Sequence, residues 1–257
     1  MKNRSFRNAP KTASSAILVA ALAIAAAAGL AGCSGHGQHT TKQISTAKEK
    51  VNVIKSATEW QMAHQSFLAG DFVKAQKAVD RSIALNPNVA KTHVLNGRIA
   101  LETGDLEKAI TAFQFAEAVD PQFVDALYYQ GIVNERLERL DTAISFYTRA
   151  AEIDSANAQY ALAAAEVMIQ KGDLAAAEAY VKERQGMFPH NAGLIQTLGN
   201  IAMLKGDAQG AVDQFTRARL LSPEDSSVSI DLAQAQVAAS RFAEAELVLA
   251  RLLSDPA

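Results

Sequence analysis

Apolar positions along this chain fall into two regimes. From Ala16 to Ala31 they run almost without a break. From about Lys48 onward they recur at helical spacing, in blocks of a dozen or so residues separated by short polar punctuation. The block from Leu106 to Val119 (LEKAITAFQFAEAV) is representative: its residues favour helix, and its apolar members return to one face each turn. Between the two regimes, residues 33–47 are predicted to be a flexible tether, because Gly35 to Ala47 (GHGQHTTKQISTA) is polar and aperiodic. The pattern predicts an all-α chain of short amphipathic helices over residues 48–257, with Lys48 to Ser56 extending the first.

The blocks repeat. Pro87 and Pro121 are 34 residues apart, as are Pro189 and Pro223, with Ser155 at the missing position between them. Twenty-two residues after each of these points, and after Val53, stands an alanine: Ala75, Ala109, Ala143, Ala177, Ala211 and Ala245. Gly97, Gly131 and Gly199 share one place in this frame with Ala63, Ala165 and Ala233. Gly-Asp pairs recur at 70–71, 104–105, 172–173 and 206–207. A larger apolar residue follows each fixed alanine: Val79, Phe113, Tyr147, Val181, Phe215 and Leu249.

Each mark has a physical reading. Glycine can end a helix in the left-handed conformation, and the aspartate after it can cap the next helix. Proline is disfavoured inside a helix and tolerated in a first turn. The small positions let paired helices approach, and the larger apolar residue fills the space beside them. In period, small residues, aromatic position and terminal proline the chain resembles the tetratricopeptide repeat (TPR) family. That resemblance implies a superhelical solenoid of antiparallel helix pairs, here six repeats beginning near Ser56, Ala90, Val124, Ala158, Ala192 and Ser226, stacked because one pair cannot bury its apolar face alone. Three departures call for local adjustment: Glu138-Arg139 and Ser240-Arg241 replace Gly-Asp, and Arg184 stands where Ala116, Ala150 and Ala218 are small.

The N-terminal regime reads differently. Lys2, Arg4, Arg7 and Lys11 precede the apolar run, which ends in Leu30-Ala31-Gly32-Cys33. A basic start, an apolar middle and small residues before a cut form a secretory signal. The run's sixteen residues would span roughly 24 Å as helix, short of the ~30 Å of hydrocarbon in a bilayer. The segment resembles the lipobox signal of bacterial lipoproteins. This implies removal of residues 1–32, two or three acyl chains on Cys33, and stable membrane attachment through that anchor. Ser34 after the cysteine goes, in Gram-negative lipoproteins, with transfer to the outer membrane, so the expected location is the cell envelope, facing the periplasm.

Composition narrows the chemistry. Cys33 is the only cysteine, so no intramolecular disulfide and no cysteine-based metal cluster can form. Loss of the signal removes four basic residues and no acid, leaving 21 basic against 27 acidic residues and a formal charge of −6. That balance disfavours nucleic acid as a partner. His36 and His39 lie in the tether without the third ligand and rigid support a metal site needs. His64, His93 and His190 are scattered over different repeats. No phosphate loop, HExxH or paired-cysteine motif occurs. No catalytic residue, cofactor or metal is expected, and the chain reads as a non-enzyme.

Binding is the better prospect. The TPR resemblance implies a concave groove lined by the first helix of each repeat. Carried over repeat by repeat, its candidate residues are Trp60 and His64, Lys91 and Arg98, Tyr128 and Glu135, Glu166, and Asn200. Aromatic and arginine side chains are frequent interface anchors, so the first three repeats are expected to dominate. The second half, with Gln196, Asn200 and Gln234, offers weaker ones. The residues of a chaperone-tail carboxylate clamp are not in place: Trp60 and His64, then Leu95 and Asp125, stand where lysines and asparagines would be needed.

The expected function is a lipid-anchored scaffold that binds a peptide or helix of a partner protein, as an adaptor or assembly factor for pilus or secretion machinery or for cell-wall enzymes. The alternatives are an enzyme or ligand-binding protein with a glycan or small molecule in the groove, and a structural subunit of a larger assembly. A TPR array usually ends in an additional polar-faced helix. Here Ser254-Asp255-Pro256-Ala257 occupies its place, so the face bearing Leu249 and Leu252 is expected to be open to self-association or to a partner. The lipobox yields a direct prediction: Cys33→Ser abolishes incorporation of radiolabelled fatty acid, and a variant labelled as strongly as wild type would remove the basis for the anchor.

Overall fold

The computed structural model describes residues 38–254. The signal segment, Cys33, His36 and residues 255–257 lie outside the described residues. The described chain is helical from end to end, with twelve helices: α1 (Gln38–Leu68), α2 (Phe72–Leu85), α3 (Ala90–Glu102), α4 (Leu106–Val119), α5 (Val124–Arg136), α6 (Leu140–Ile153), α7 (Ala158–Gln170), α8 (Leu174–Met187), α9 (Ala192–Leu204), α10 (Ala208–Leu221), α11 (Ser226–Ala238) and α12 (Phe242–Ser254). Among the described residues no helix is long and apolar enough to cross a membrane. The chain divides after Val53 into two units, and the second, from Ile54, holds the repeats.

Helices α3, α5, α7, α9 and α11 begin at the residues the 34-residue frame predicts. Helix α1 corrects the N-terminal boundary. It starts at Gln38, so residues 38–47 are helical, not an irregular tether. Their Lys, Gln and Ala residues favour helix, and the Ser45 and Thr46 hydroxyls return to the Lys42 carbonyl at 2.8 and 2.9 Å, which removes their competition with the backbone.

The punctuation acts as its chemistry requires. Gly70, Gly104, Gly172 and Gly206 sit at φ of 75°, 81°, 85° and 80°. The aspartates after them accept from the N–H groups of Lys74, Lys108, Ala176 and Gly210 at 3.0, 3.0, 3.1 and 2.9 Å. Glu138 and Ser240 adopt the same left-handed turn at φ 57° and 61° without being glycine, at a cost of about 1 kcal/mol each. Before Pro87 and Pro121, Asn86 and Asp120 are extended, as the proline ring demands of its predecessor.

Consecutive helices from α2 onward pack side by side, and first helices of adjacent repeats also touch, α3 against α5 and α7 against α9. Helix α1 joins through Ala63, which shares a core with Ala75, Val79, Leu95 and Ile99. The six fixed alanines are buried, none more than 2% exposed. The small position meets the large one within each repeat: a Cβ on Gly199 would lie 2.5 Å from Cε1 of Phe215, and Gly97 and Gly131 lie equally tight against Phe113 and Tyr147. Where the small residue is alanine, at 63, 165 and 233, its counterpart is Val79, Val181 or Leu249. The chain therefore trades volume between the two positions. Leu249 departs from the other large positions in being 43% exposed, while Val248 is buried in its place. Arg184 fits among small neighbours by laying its guanidinium 5.0 Å from the Tyr180 ring centre; its Nε is buried without a partner.

This exchange can be tested. Gly199→Ala should destabilise the protein by ~1–3 kcal/mol through overpacking. Adding Phe215→Val, which reproduces the alanine–valine pair of Ala165 and Val181, should recover part of that loss. Additive effects in denaturant melts would show that the two positions do not share one space.

Candidate partner-binding groove

The first helices carry three connected groups of side chains. At the N-terminal end, Trp60 and His64, one turn apart on α1, stack with ring centres 5.2 Å apart. Lys91 of α3 places its ammonium 4.2 Å from the Trp60 ring centre, and Trp60 Nε1 donates to the Lys91 carbonyl at 3.4 Å. Next, the Arg98 guanidinium lies between two rings, 4.6 Å from Phe67 and 5.2 Å from Tyr129. Both cations are thus satisfied in part by aromatic faces of the protein itself, contacts worth roughly 0.5–2 kcal/mol each.

The centre is a tyrosine cluster. Tyr128 has its ring centre 5.5, 5.6 and 5.4 Å from those of Tyr129, Tyr147 and Tyr160. The Tyr147 hydroxyl donates to Glu135 Oε2 at 2.9 Å. Burial pushes the Tyr128, Tyr147 and Tyr160 hydroxyls above the usual phenol range, and nearby carboxylate charges push the same way. All three stay protonated at neutral pH and serve as donors and stacking faces, not as bases. Glu166, on α7, is exposed as a residue, but desolvation of its carboxyl and then the charge of Glu135 raise its pKa above the ordinary carboxylate value.

Beyond Glu166 the groove opens into a cavity of about 410 Å³ between α7, α9 and α11. Ile169, Met203, Leu204 and Phe215 supply its apolar lining; Glu166, Asn200, Asp231 and Gln234 supply the polar part. Asp231 also accepts from Gln196 Nε2 at 2.7 Å.

The structure therefore brings Trp60, His64 and Lys91 into one cluster, Tyr128, Glu135 and Glu166 into a second neighbourhood, and Glu166 and Asn200 into one cavity. Arg98 links Phe67 of α1 to Tyr129, which packs against Tyr128 of the second. Sequence reasoning left out Phe67, Tyr129 and Tyr160, which hold these groups, and the cavity lining. Extra aromatics on first helices, outside the small–large frame, were the available signal. This cavity lies in the half ranked as the weaker binder; a second, of about 640 Å³ beside His93 and Phe115, lies in the first half. Among the described residues no group of three or more His, Cys, Asp or Glu could hold a metal ion.

Comparison with known proteins agrees with this architecture. Tetratricopeptide repeat models match residues 69–114 and 94–158, and another matches 202–256; together they span more than half of the chain. The chain belongs to the tetratricopeptide repeat family. Among solved structures this TPR protein is similar to PilW, a type IV pilus biogenesis factor, at 18% identity and a TM-score of 0.64, covering 78% of this chain and 93% of that one. It is similar to a TPR protein from Parabacteroides merdae at 14% identity and a TM-score of 0.63, covering 79% and 81%. It also resembles YrrB, a TPR protein with an unusual peptide-binding site, at 18% identity and a TM-score of 0.54, covering 73% and 94%. At these identities the likeness is one of fold. No curated protein matches the sequence.

The raised pKa of Glu166 has a consequence for stability. A carboxyl whose folded pKa exceeds its unfolded value is favoured by folding in its protonated form, so its contribution is present at low pH and is lost as pH rises through the folded value. Glu166→Gln should therefore melt above wild type at pH 7, and the difference should disappear as pH falls below the ordinary glutamate range. Melting curves between pH 4 and 7.5 check this; a variant that melts lower at pH 7 would mean the carboxylate is paired.

Proposed function

We propose that this TPR protein is a scaffold of the bacterial cell envelope, anchored by lipid on Cys33 and facing the periplasm from the outer membrane. In this reading it holds a peptide or helix of a partner protein against its first helices, as an adaptor or assembly factor for an envelope complex. One observation carries the binding reading: the first-helix face bears a half-buried aromatic series that ends in an apolar-lined cavity. Rigid aromatics beside polar groups are effective anchors for a partner chain. The lipobox at Leu30–Cys33 supports the anchor, and polar residues between Cys33 and the repeats would hold the groove off the membrane. PilW and YrrB carry roles of this kind, in pilus biogenesis and peptide binding. A solenoid presented from a lipid anchor fits both.

The test is photo-crosslinking from the anchored, full-length protein. A benzophenone amino acid at Gln159 or Asn200, both exposed on first helices, should give discrete protein adducts. The same group at Glu107 or Thr142, exposed on second helices, should give none, and Cys33→Ser should abolish the adducts by releasing the protein from its site. Adducts confined to the second helices would place the binding surface elsewhere.

A further inference from the structure

The charges along the first helices are sorted. Helices α7, α9 and α11 carry Glu166 and Asp231 and no lysine or arginine; α5 carries Asp125 and Glu135 against the single Arg136. Arg136 is directed to the Leu101 carbonyl, with Nη1 at 3.4 Å. The lysines at the ends of α7 and α9 are engaged away from the cavity: Lys171 pairs with Asp141 and Lys205 with Glu178, each at 2.5 Å. Neither Glu135 nor Glu166 has an ion-pair partner among the described residues. The cavity thus joins an apolar floor to a carboxylate rim that the protein does not neutralise. In the first two repeats the opposite holds, since Lys91 and Arg98 already rest on aromatic rings.

We infer that the cavity between α7, α9 and α11 receives a basic amphipathic segment of a partner protein, seating an apolar side chain on Met203 and Leu204 and a lysine or arginine against Glu166 and Asp231. This rests on the proposed groove-binding function and specifies the chemistry of its ligand. The complementarity is of two kinds. An apolar side chain has room on the floor of a cavity of about 410 Å³, within the usual range for binding sites. A cation answers the Glu166 and Asp231 carboxylates and offsets the repulsion between Glu135 and Glu166. The polarity is the reverse of a clamp for a terminal carboxylate, which needs cations here.

The experiment is selection of a random dodecapeptide phage library on full-length protein in detergent micelles, followed by calorimetry with the selected peptides made synthetically. Selected peptides should share a lysine or arginine near an apolar residue. Replacing that basic residue by norleucine, or the protein's Glu166 by Gln or Asp231 by Asn, should weaken binding roughly tenfold, as loss of a charge-assisted hydrogen bond does. Glu246→Gln removes one carboxylate from the exposed surface of α12 and should leave affinity within about twofold. Peptides lacking a basic residue, or affinities indifferent to both Glu166→Gln and Asp231→Asn, overturn the inference while the groove-binding function stands. No enrichment of any peptide overturns both.

Discussion

The structure depends on one steric contact, tightest in repeats two, three and five: a residue without a side chain on the first helix against an aromatic ring on the second. Phe113, Tyr147 and Phe215 are almost fully buried against Gly97, Gly131 and Gly199. A close-packed interior has no slack to absorb even one added carbon, so this contact sets how near the two helices lie. The fixed alanines, the capping aspartates and the left-handed glycines then bring the chain back to the same contact 34 residues later.

That contact also determines what is left over for binding. The second helix turns its large residue inward, and the first helix keeps one face packed and one face open. Residues outside the packing frame are relieved of structural duty, and they form the aromatic and charged series from Trp60 to Gln234. Phe215 serves both purposes: it fills the space under Gly199 and lines the cavity. Cavity and core therefore share a wall in repeats five and six, and a volume change there would be felt in both.

Electrostatics divides the groove where packing does not. In the first repeats the cations lie on rings that belong to the protein, so their charge is partly spent before any partner arrives. Glu135 and Glu166 lie near Tyr128 without an ion-pair partner among the described residues, and desolvation of the Glu166 carboxyl, then the charge of Glu135, raises its pKa. A surface can be rich in conventional anchors and already satisfied, while a plainer stretch carries the unmet charge.

The sequence by itself determined the helices, their starts, the six-fold repetition and the small–large pairing. All of these arise from interactions within a few turns or at a fixed separation: caps, left-handed turns, proline's ring and the volume of one residue against another. It also placed the candidate side chains on the first helices, since helix periodicity assigns each residue to an element and a face. Tertiary structure decided which of those side chains meet. Lys91 settles on Trp60 across a repeat boundary, Arg98 is enclosed by Phe67 and Tyr129 from two other helices, and the cavity exists only where α7, α9 and α11 come together. Such contacts depend on rotamers and on the angle between neighbouring repeats, quantities summed over many weak packing terms and carried by no single residue. The same holds for the early start of α1, where residues polar and aperiodic enough to be read as a tether continue the helix.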